Sequence, residues 1–361
     1  MSAFADVPEQ PEAKRLLEAA LHEGPAHAYL FHGPPGVGKR TAARALAGVL
    51  LGDARRVSGG THPDLRVIEA LGEMIRIDEI RALHHDLHMR PFEADRRVYL
   101  ILDAHRMNPD AASALLKDLE EPPAYATLVL VADELGSLPE TIRSRCQLVP
   151  FHRLSRGAVE AWLSTRAPDL APQEIATLAR VAGGRLDRAA RLLDEQARVR
   201  RAALLDVARA VYADEEFHPT DAAGVVLDAA GARAAAAREH EQALVDAIEL
   251  PPREAEQRVK RAGFGAERDE ILASLDDLGA WYRDLVLVGA GAESAVANAD
   301  RLEALRADVA GGAATAAEDA AAVVRQVWRE AEEFNLNPTL LLEALFVRLA
   351  RAFSRVPTAA R

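Results

Sequence analysis

Residues 33 to 41 run Gly33-Pro34-Pro35-Gly36-Val37-Gly38-Lys39-Arg40-Thr41, glycines leading to a lysine at the spacing of a phosphate-cradling loop. Gly33, Gly36 and Gly38 let backbone N–H groups curl around one anion. A helix starting near Lys39 adds the partial positive charge of its N-terminus, and the Lys39 ammonium can reach terminal phosphates. The residue after such a lysine has to carry a hydroxyl to hold Mg²⁺. Here it is Arg40, and Thr41 comes one residue late, about 100° further around the helix. A guanidinium cannot ligate a cation. The spacing therefore predicts a loop shaped for phosphate and weighs against Mg²⁺-dependent hydrolysis.

Such a loop works between a strand and a helix, and the flanking residues supply both. His27 to His32 reads as a short buried strand, and residues 39–51 as a helix. Further strand candidates are Leu65–Ile68, Val98–Leu102 and Leu128–Val131. The last two are continuous apolar runs, as expected for strands covered on both faces of a parallel sheet. Asp103 directly follows the first of these runs, Val98–Leu102, where a carboxylate can support a metal. Helical patterns near 78–88 and 109–121 separate the strands, the latter stopped by Pro122-Pro123. From Leu154 onward the chain reads as helix after helix. Ser155 is an N-cap, Pro172 a first-turn residue and Gly183-Gly184 a stop, and later breaks fall at Pro251-Pro252, Gly289–Gly291 and Gly311-Gly312. The expected fold class is α/β followed by all-α, with boundaries at 1–152, 153–205 and 206–361.

Composition agrees. A chain of 361 residues exceeds one ordinary core, and 49% hydrophobic with 28% charged residues excludes global disorder. Only 5% aromatic residues, beside long Ala-, Leu-, Glu- and Arg-rich stretches, favour helix over a β-sandwich. A formal net charge of −12 argues against a protein that coats nucleic acid by bulk charge. The single cysteine, Cys146, can form neither an intramolecular disulfide nor a Cys-rich zinc site. The N-terminal residues lack a basic and apolar leader pattern, and no apolar run approaches the ~18 residues of a membrane span. The expectation is a cytoplasmic protein with no membrane partner.

Two later segments carry a resemblance. Ala114-Leu115-Leu116-Lys117-Asp118-Leu119-Glu120-Glu121-Pro122-Pro123 alone is an amphipathic helix with a proline stop, and Leu138 to Cys146 a polar loop with two arginines. In this order, after the phosphate loop and the Asp-ended strand, they resemble the AAA+ subunits of the bacterial DNA polymerase III clamp loader. His27 to Phe31, His62-Pro63-Asp64, Trp281-Tyr282-Arg283-Asp284 and Asn335-Leu336-Asn337-Pro338 add to the likeness. The resemblance implies a RecA-like AAA+ domain with a parallel sheet, a small helical lid and a C-terminal helical collar that holds the subunits together. It also implies that Ser144, Arg145 and Cys146 form that family's Ser-Arg-Cys turn, whose arginine reaches a neighbour's ATP as an arginine finger. Cys146 then completes a turn and is not a reactive thiol. Gly33, Gly36, Gly38, Lys39, Thr41 and Asp103 become the cofactor-binding set of a degenerate nucleotide site.

Departures from the family pattern select a branch. Where an AAA+ ATPase places the glutamate that polarises water stands Ala104. Ala132-Asp133 replaces the motor's sensor threonines, and Gly183-Gly184-Arg185-Leu186-Asp187 lacks an arginine at the motor's usual spacing, with Arg188 one residue beyond it. These changes imply a delta-prime (stator) type. Its partners would be the gamma/tau motor and delta subunits, with the sliding clamp and primer-template DNA reached through the assembly. The alternatives are an ATP-hydrolysing gamma/tau-type motor with an unusual loop, or a subunit that binds nucleotide only as a structural ligand. No cofactor is expected to be required, and weak ATP or ADP binding stays open. Residues 55–61 lack the cysteines of the zinc knuckle many members carry, so no zinc is expected. His62, His84, His85 and His88 are the remaining metal candidates, and His84 with His88, at i and i+4, makes only two ligands. Arg96-Arg97, Arg198, Arg200 and Arg201 read as solvated side chains before they read as DNA contacts.

Overall fold

The computed structural model describes residues 3–70, 74–246, 251–333 and 336–354. It forms two compact units, residues 1–168 with 184–188 and residues 169–183 with 189–361. The segment 153–205 contributes to both. Asn335 of the Asn-Leu-Asn-Pro stretch lies outside the described residues.

The first unit is built on five parallel strands: β1 (Ala28–His32), β2 (Leu65–Ile68), β3 (Arg97–Ile101), β4 (Ala126–Ala132) and β5 (Gln147–Pro150). Their order across the sheet is β2-β3-β4-β1-β5. Tyr29 of β1 stands opposite Val129 on one side and Gln147 on the other. Strand side chains alternate faces, and both faces are apolar. Tyr29, Phe31, Leu100, Val129 and Val131 pack with helices α1 (Pro11–Glu23), α2 (Lys39–Leu50) and the short α3 (Ala54–Ser58). Leu30, Tyr99, Ile101, Leu128 and Leu130 pack with α4 (Ile77–Leu87) and α5 (Pro109–Glu120). A single turn α6 (Glu140–Arg143) precedes β5, and α7 (Arg156–Arg166) follows it. β5 is absent from the sequence reading. It is four residues long, and Gln147 and Leu148 at its start are exposed, so it has neither the length nor the apolar run that marks a covered strand.

Asp64 of the His-Pro-Asp segment has a structural role. It is 1% exposed and accepts hydrogen bonds from the backbone N–H groups of Phe92 at 2.6 Å, Glu93 at 3.0 Å and Ala94 at 2.9 Å. Burial pushes its carboxyl up, but these donors and nearby Arg97 outweigh that and hold it below the usual carboxylate range. The stability it contributes is therefore full above about pH 4, the unfolded carboxyl value, and is lost as pH falls through the lower folded value. Asp64→Asn should lower unfolding free energy at neutral pH by about 2 kcal/mol and flatten the acid limb of stability against pH. Unchanged denaturant midpoints at both pH 7 and pH 3 would contradict this.

Arg97 is 4% exposed, its Nη2 donating to both oxygens of the Asp86 carboxylate at 3.0 and 3.1 Å and its Nη1 to the Asp86 carbonyl at 3.0 Å. Arg201 is 8% exposed and bonds Asp300 at 2.9 Å and Asn298. Neither is the solvated cation that the charge pattern suggested. A charge at the edge of an apolar segment is drawn inside when a carboxylate or amide waits there.

The second unit is all-helical: α8 (Pro172–Ala182), the C-terminal part of α9 (Leu186–Leu192), α10 (Glu195–Ala213), α11 (Pro219–Asp246), α12 (Pro252–Gly289), α13 (Leu302–Ala310), α14 (Ala314–Glu333) and α15 (Pro338–Ser354). Its core gathers Leu275, Trp281, Tyr282, Leu285, Leu342 and Phe346. Trp281 and Tyr282 are buried with their polar ends satisfied, Nε1 donating to the Tyr212 hydroxyl and the Tyr282 hydroxyl to the Ala208 carbonyl, each at 3.1 Å. No helix among the described residues is long and apolar enough to cross a membrane.

Candidate functional site

Parallel strands bring their carboxyl ends to one edge of the sheet, and the order β3-β4-β1 makes three of those ends neighbours. The Gly33–Gly38 loop leaves β1, Asp103 follows β3 and Asp133 follows β4. Ligands of open α/β sheets bind at this edge. Two of the glycines combine a positive φ with a close approach, to fixed backbone at Gly33 and to a side chain at Gly36. At Gly33 (φ +136°) a Cβ would stand 2.1 Å from the Phe151 carbonyl oxygen, and at Gly36 (φ +69°) 1.8 Å from Asp187 Oδ1. The Leu186 N–H donates to the Gly36 carbonyl at 2.6 Å, so residues 184–188 lie directly against the loop.

Both cations of the loop have internal partners. Lys39 is 4% exposed, donates to the Gly33 and Pro34 carbonyls, and stands 2.9 Å from Asp133 Oδ1. Burial pulls its ammonium below the usual lysine value, with Asp133, Asp103 and Asp187 opposing. Arg40 bridges Asp103 Oδ2, at 2.5 Å, and Glu69. Those two carboxylates raise its guanidinium pKa against the opposing effect of burial. Thr41 is exposed on α2. Asp103 takes the left-handed conformation (φ 55°, ψ 44°), which a short polar side chain tolerates, and its carboxylate is spent on Arg40. Ala104 is fully buried and offers nothing to a water. The Asp133 N–H donates to His105 Nδ1 at 3.3 Å, and burial holds His105 below the ordinary histidine range.

A Mg²⁺-nucleotide does not fit this arrangement. The metal's place beside Asp103 holds a guanidinium, and a phosphate approaching Lys39 would have to displace Asp133, one of several carboxylates around the cradle. The substitution at Arg40 is legible in the sequence. The neutralisation of Lys39 by Asp133 is not, because it needs β4 to lie beside β1.

Arg145 sits in the turn between α6 and β5. Its Nη1 donates to the Thr141 carbonyl at 2.8 Å and its Nη2 to Glu120 Oε1 at 2.5 Å. Glu120 belongs to the Leu-Glu-Glu-Pro-Pro end of α5, so the two segments that carry the resemblance meet here. The pair is solvent-facing, with 34% and 50% of the two side chains exposed. The Ser144 hydroxyl closes the turn on the Thr141 carbonyl at 3.2 Å. Cys146 is half-buried, and burial pushes its thiol up to about 12, which makes it a space-filling residue at neutral pH.

Residues 9–155 match the family model described as DNA polymerase III, delta subunit. The chain is 36% identical over 164 residues to DNA polymerase III subunit delta' of Bacillus subtilis, covering 42% of this chain and 50% of that one. It is 34% identical over 196 residues to the Pseudomonas aeruginosa delta', covering 50% and 60%. The B. subtilis tau subunit is 33% identical over 170 residues, 43% of this chain and 30% of tau. The chain thus spans between half and three-fifths of the delta' relatives it matches. Among solved structures, a DNA polymerase III gamma-subunit-related protein of Thermotoga maritima aligns over 95% of this chain and 99% of its own at 17% identity and a TM-score of 0.43. Over its α/β unit the chain is thus similar to subunits named delta' of DNA polymerase III, with the matching family model confined to residues 9–155.

Proposed function

We propose that this chain is a delta-prime stator of a DNA polymerase III clamp loader. It would complete a ring with gamma/tau motor and delta subunits and present Arg145 to a neighbour's ATP, while its own nucleotide loop does no chemistry. The supporting observation is the internal pairing of the loop, Lys39 with Asp133 and Arg40 with Asp103 and Glu69. An ATPase needs that lysine free for phosphate, a hydroxyl in the place of Arg40 and that aspartate free for metal. The likeness to subunits named delta' supports the same assignment. The sliding clamp and primer-template DNA would be reached through the assembly. No cofactor is required in this reading, and whatever ATP or ADP the cradle holds would be held weakly.

The isolated chain should hydrolyse ATP at no measurable rate, far below the roughly 1 per second at the low end of working enzymes. Turnover at that level, retained after repurification and abolished by Lys39→Ala, would make the chain a motor. Reconstitution tests the rest. Motor and delta subunits should load a clamp onto primed DNA when this chain is present and fail when it is omitted. Equal loading without it would sink the stator assignment.

A further inference from the structure

Asp118 is out of place in its helix. On α5 it continues the stripe of Ala111, Ala112 and Leu115 that faces the core, and it is 2% exposed. One oxygen, Oδ1, lies 2.6 Å from His84 Nδ1. The other, Oδ2, is buried with no hydrogen-bond partner. A buried carboxylate half-satisfied in this way calls for a further cation or donor.

The neighbouring helix supplies what is missing. His84 and His88 stand one turn apart at the C-terminal end of α4, their rings 4.8 Å apart. One ligand atom from each of His84, His88 and Asp118 lies within 4.8 Å of the others. Bonds of about 2.0–2.2 Å to a tetrahedral ion put ligand atoms roughly 3.3 Å apart, so an ion would open the 2.6 Å His84–Asp118 hydrogen bond and draw in the exposed His88 ring. Two histidines alone fall short of a ligand set. The packing of α4 on α5 adds a third ligand, and the half-exposed His84 and exposed His88 leave the fourth position to water.

We propose that His84, His88 and Asp118 form a binding site for a divalent transition-metal ion of the zinc class, clipping the end of α4 to α5. Two imidazoles, one carboxylate and an open position suit Zn²⁺ or Co²⁺ better than Mg²⁺ or Ca²⁺, which favour all-oxygen shells. His62 takes no part, since its Nδ1 accepts the Asp64 N–H at 3.1 Å and its Nε2 lies 3.4 Å from Glu93. The site is independent of the nucleotide loop and of the stator assignment.

Titrating the full chain with Co²⁺ tests this. One equivalent should bind saturably with the strong visible d–d absorption of a four-coordinate ion, and Zn²⁺ should displace it. His88→Ala should weaken binding about tenfold or more, as should Asp118→Asn. His85→Ala, at an exposed neighbour outside the cluster, should bind as the parent does. Zn²⁺ should raise the melting temperature of the parent and leave that of His88→Ala unmoved. Because His88 is exposed, its variant tests the site without disturbing the core. Absence of saturable binding, or binding undiminished in both His88→Ala and Asp118→Asn, would overturn the proposal. A fall in melting temperature of Asp118→Asn with no Co²⁺ absorption in the parent would reduce the cluster to a structural His–Asp pair.

Discussion

Arg145→Ala, if the chain is the proposed stator, is expected to lower ATP turnover at the adjacent motor site by about 10³ to 10⁵, or roughly 4 to 7 kcal/mol of transition-state stabilisation, while the complex still assembles. A guanidinium is permanently charged and can fork two donors onto phosphate oxygens, so Arg145→Lys should rescue little. The bond to Glu120 does not compete. A solvent-facing ion pair contributes about 0 to 1 kcal/mol, far less than the finger, so Arg145 can exchange Glu120 for phosphate at small cost. Glu120→Gln should therefore leave single-site turnover within about twofold. Arg143, outside the Ser-Arg-Cys turn, serves as the control. If Arg145 only staples α5 to its own turn, Arg145→Ala will lower the melting temperature of the isolated chain and leave the motor's rate untouched. Single-turnover rates in the intact complex, beside melting curves of the same variant, separate the two outcomes.

The second large effect lies in the helical unit. Asp284 is fully buried and accepts hydrogen bonds from the Ala297 N–H at 3.0 Å, the Asn298 N–H at 2.7 Å and Asn298 Nδ2 at 2.8 Å. Asn298 in turn accepts from Arg201. Asp284→Ala strips the acceptor from all three donors and frees the Asn298 amide that Arg201 bonds, leaving Asp300 as the remaining anion of the cluster. The expected cost is about 3 to 5 kcal/mol, a large share of the roughly 5 to 15 kcal/mol that holds a domain together. Asp284→Asn keeps the volume and one acceptor, and should fall between the two. Denaturant unfolding followed through Trp281, which the same helix buries, reads the change. A loss below about 1 kcal/mol would show that the 297–298 turn is held by its packing alone.

These two residues also mark how differently a motif residue and a framework residue show in a sequence. Arg145 is recognisable because its Ser-Arg-Cys neighbours are consecutive. Asp284 stands in the Trp-Tyr-Arg-Asp run, but its partners lie beyond the end of α12, and no local pattern points to them.

The glycine spacing at Gly33, Gly36 and Gly38, the intrusion of Arg40, the apolar runs of β1, β3 and β4 and the proline stop after α5 are all local. Each depends on backbone freedom, side-chain chemistry or hydropathy within a few residues, so the chain alone determines them. The α/β-then-α order followed directly. The rest came from pairings between distant segments. β5 is short and exposed at its start, and becomes a strand only because β1 offers it a free edge. Lys39 meets Asp133, and Arg40 meets Asp103 and Glu69, because strand order sets which carboxyl ends are neighbours, and no local signal encodes that order. Asp118 reads as one more charge on an amphipathic helix until α4 packs against α5 and buries it beside His84. Whether a charge is solvated, paired or left with one oxygen unsatisfied depends on what the fold brings within about 3 Å of it, and for Arg97, Arg201 and Asp118 only the packed structure supplies that neighbour.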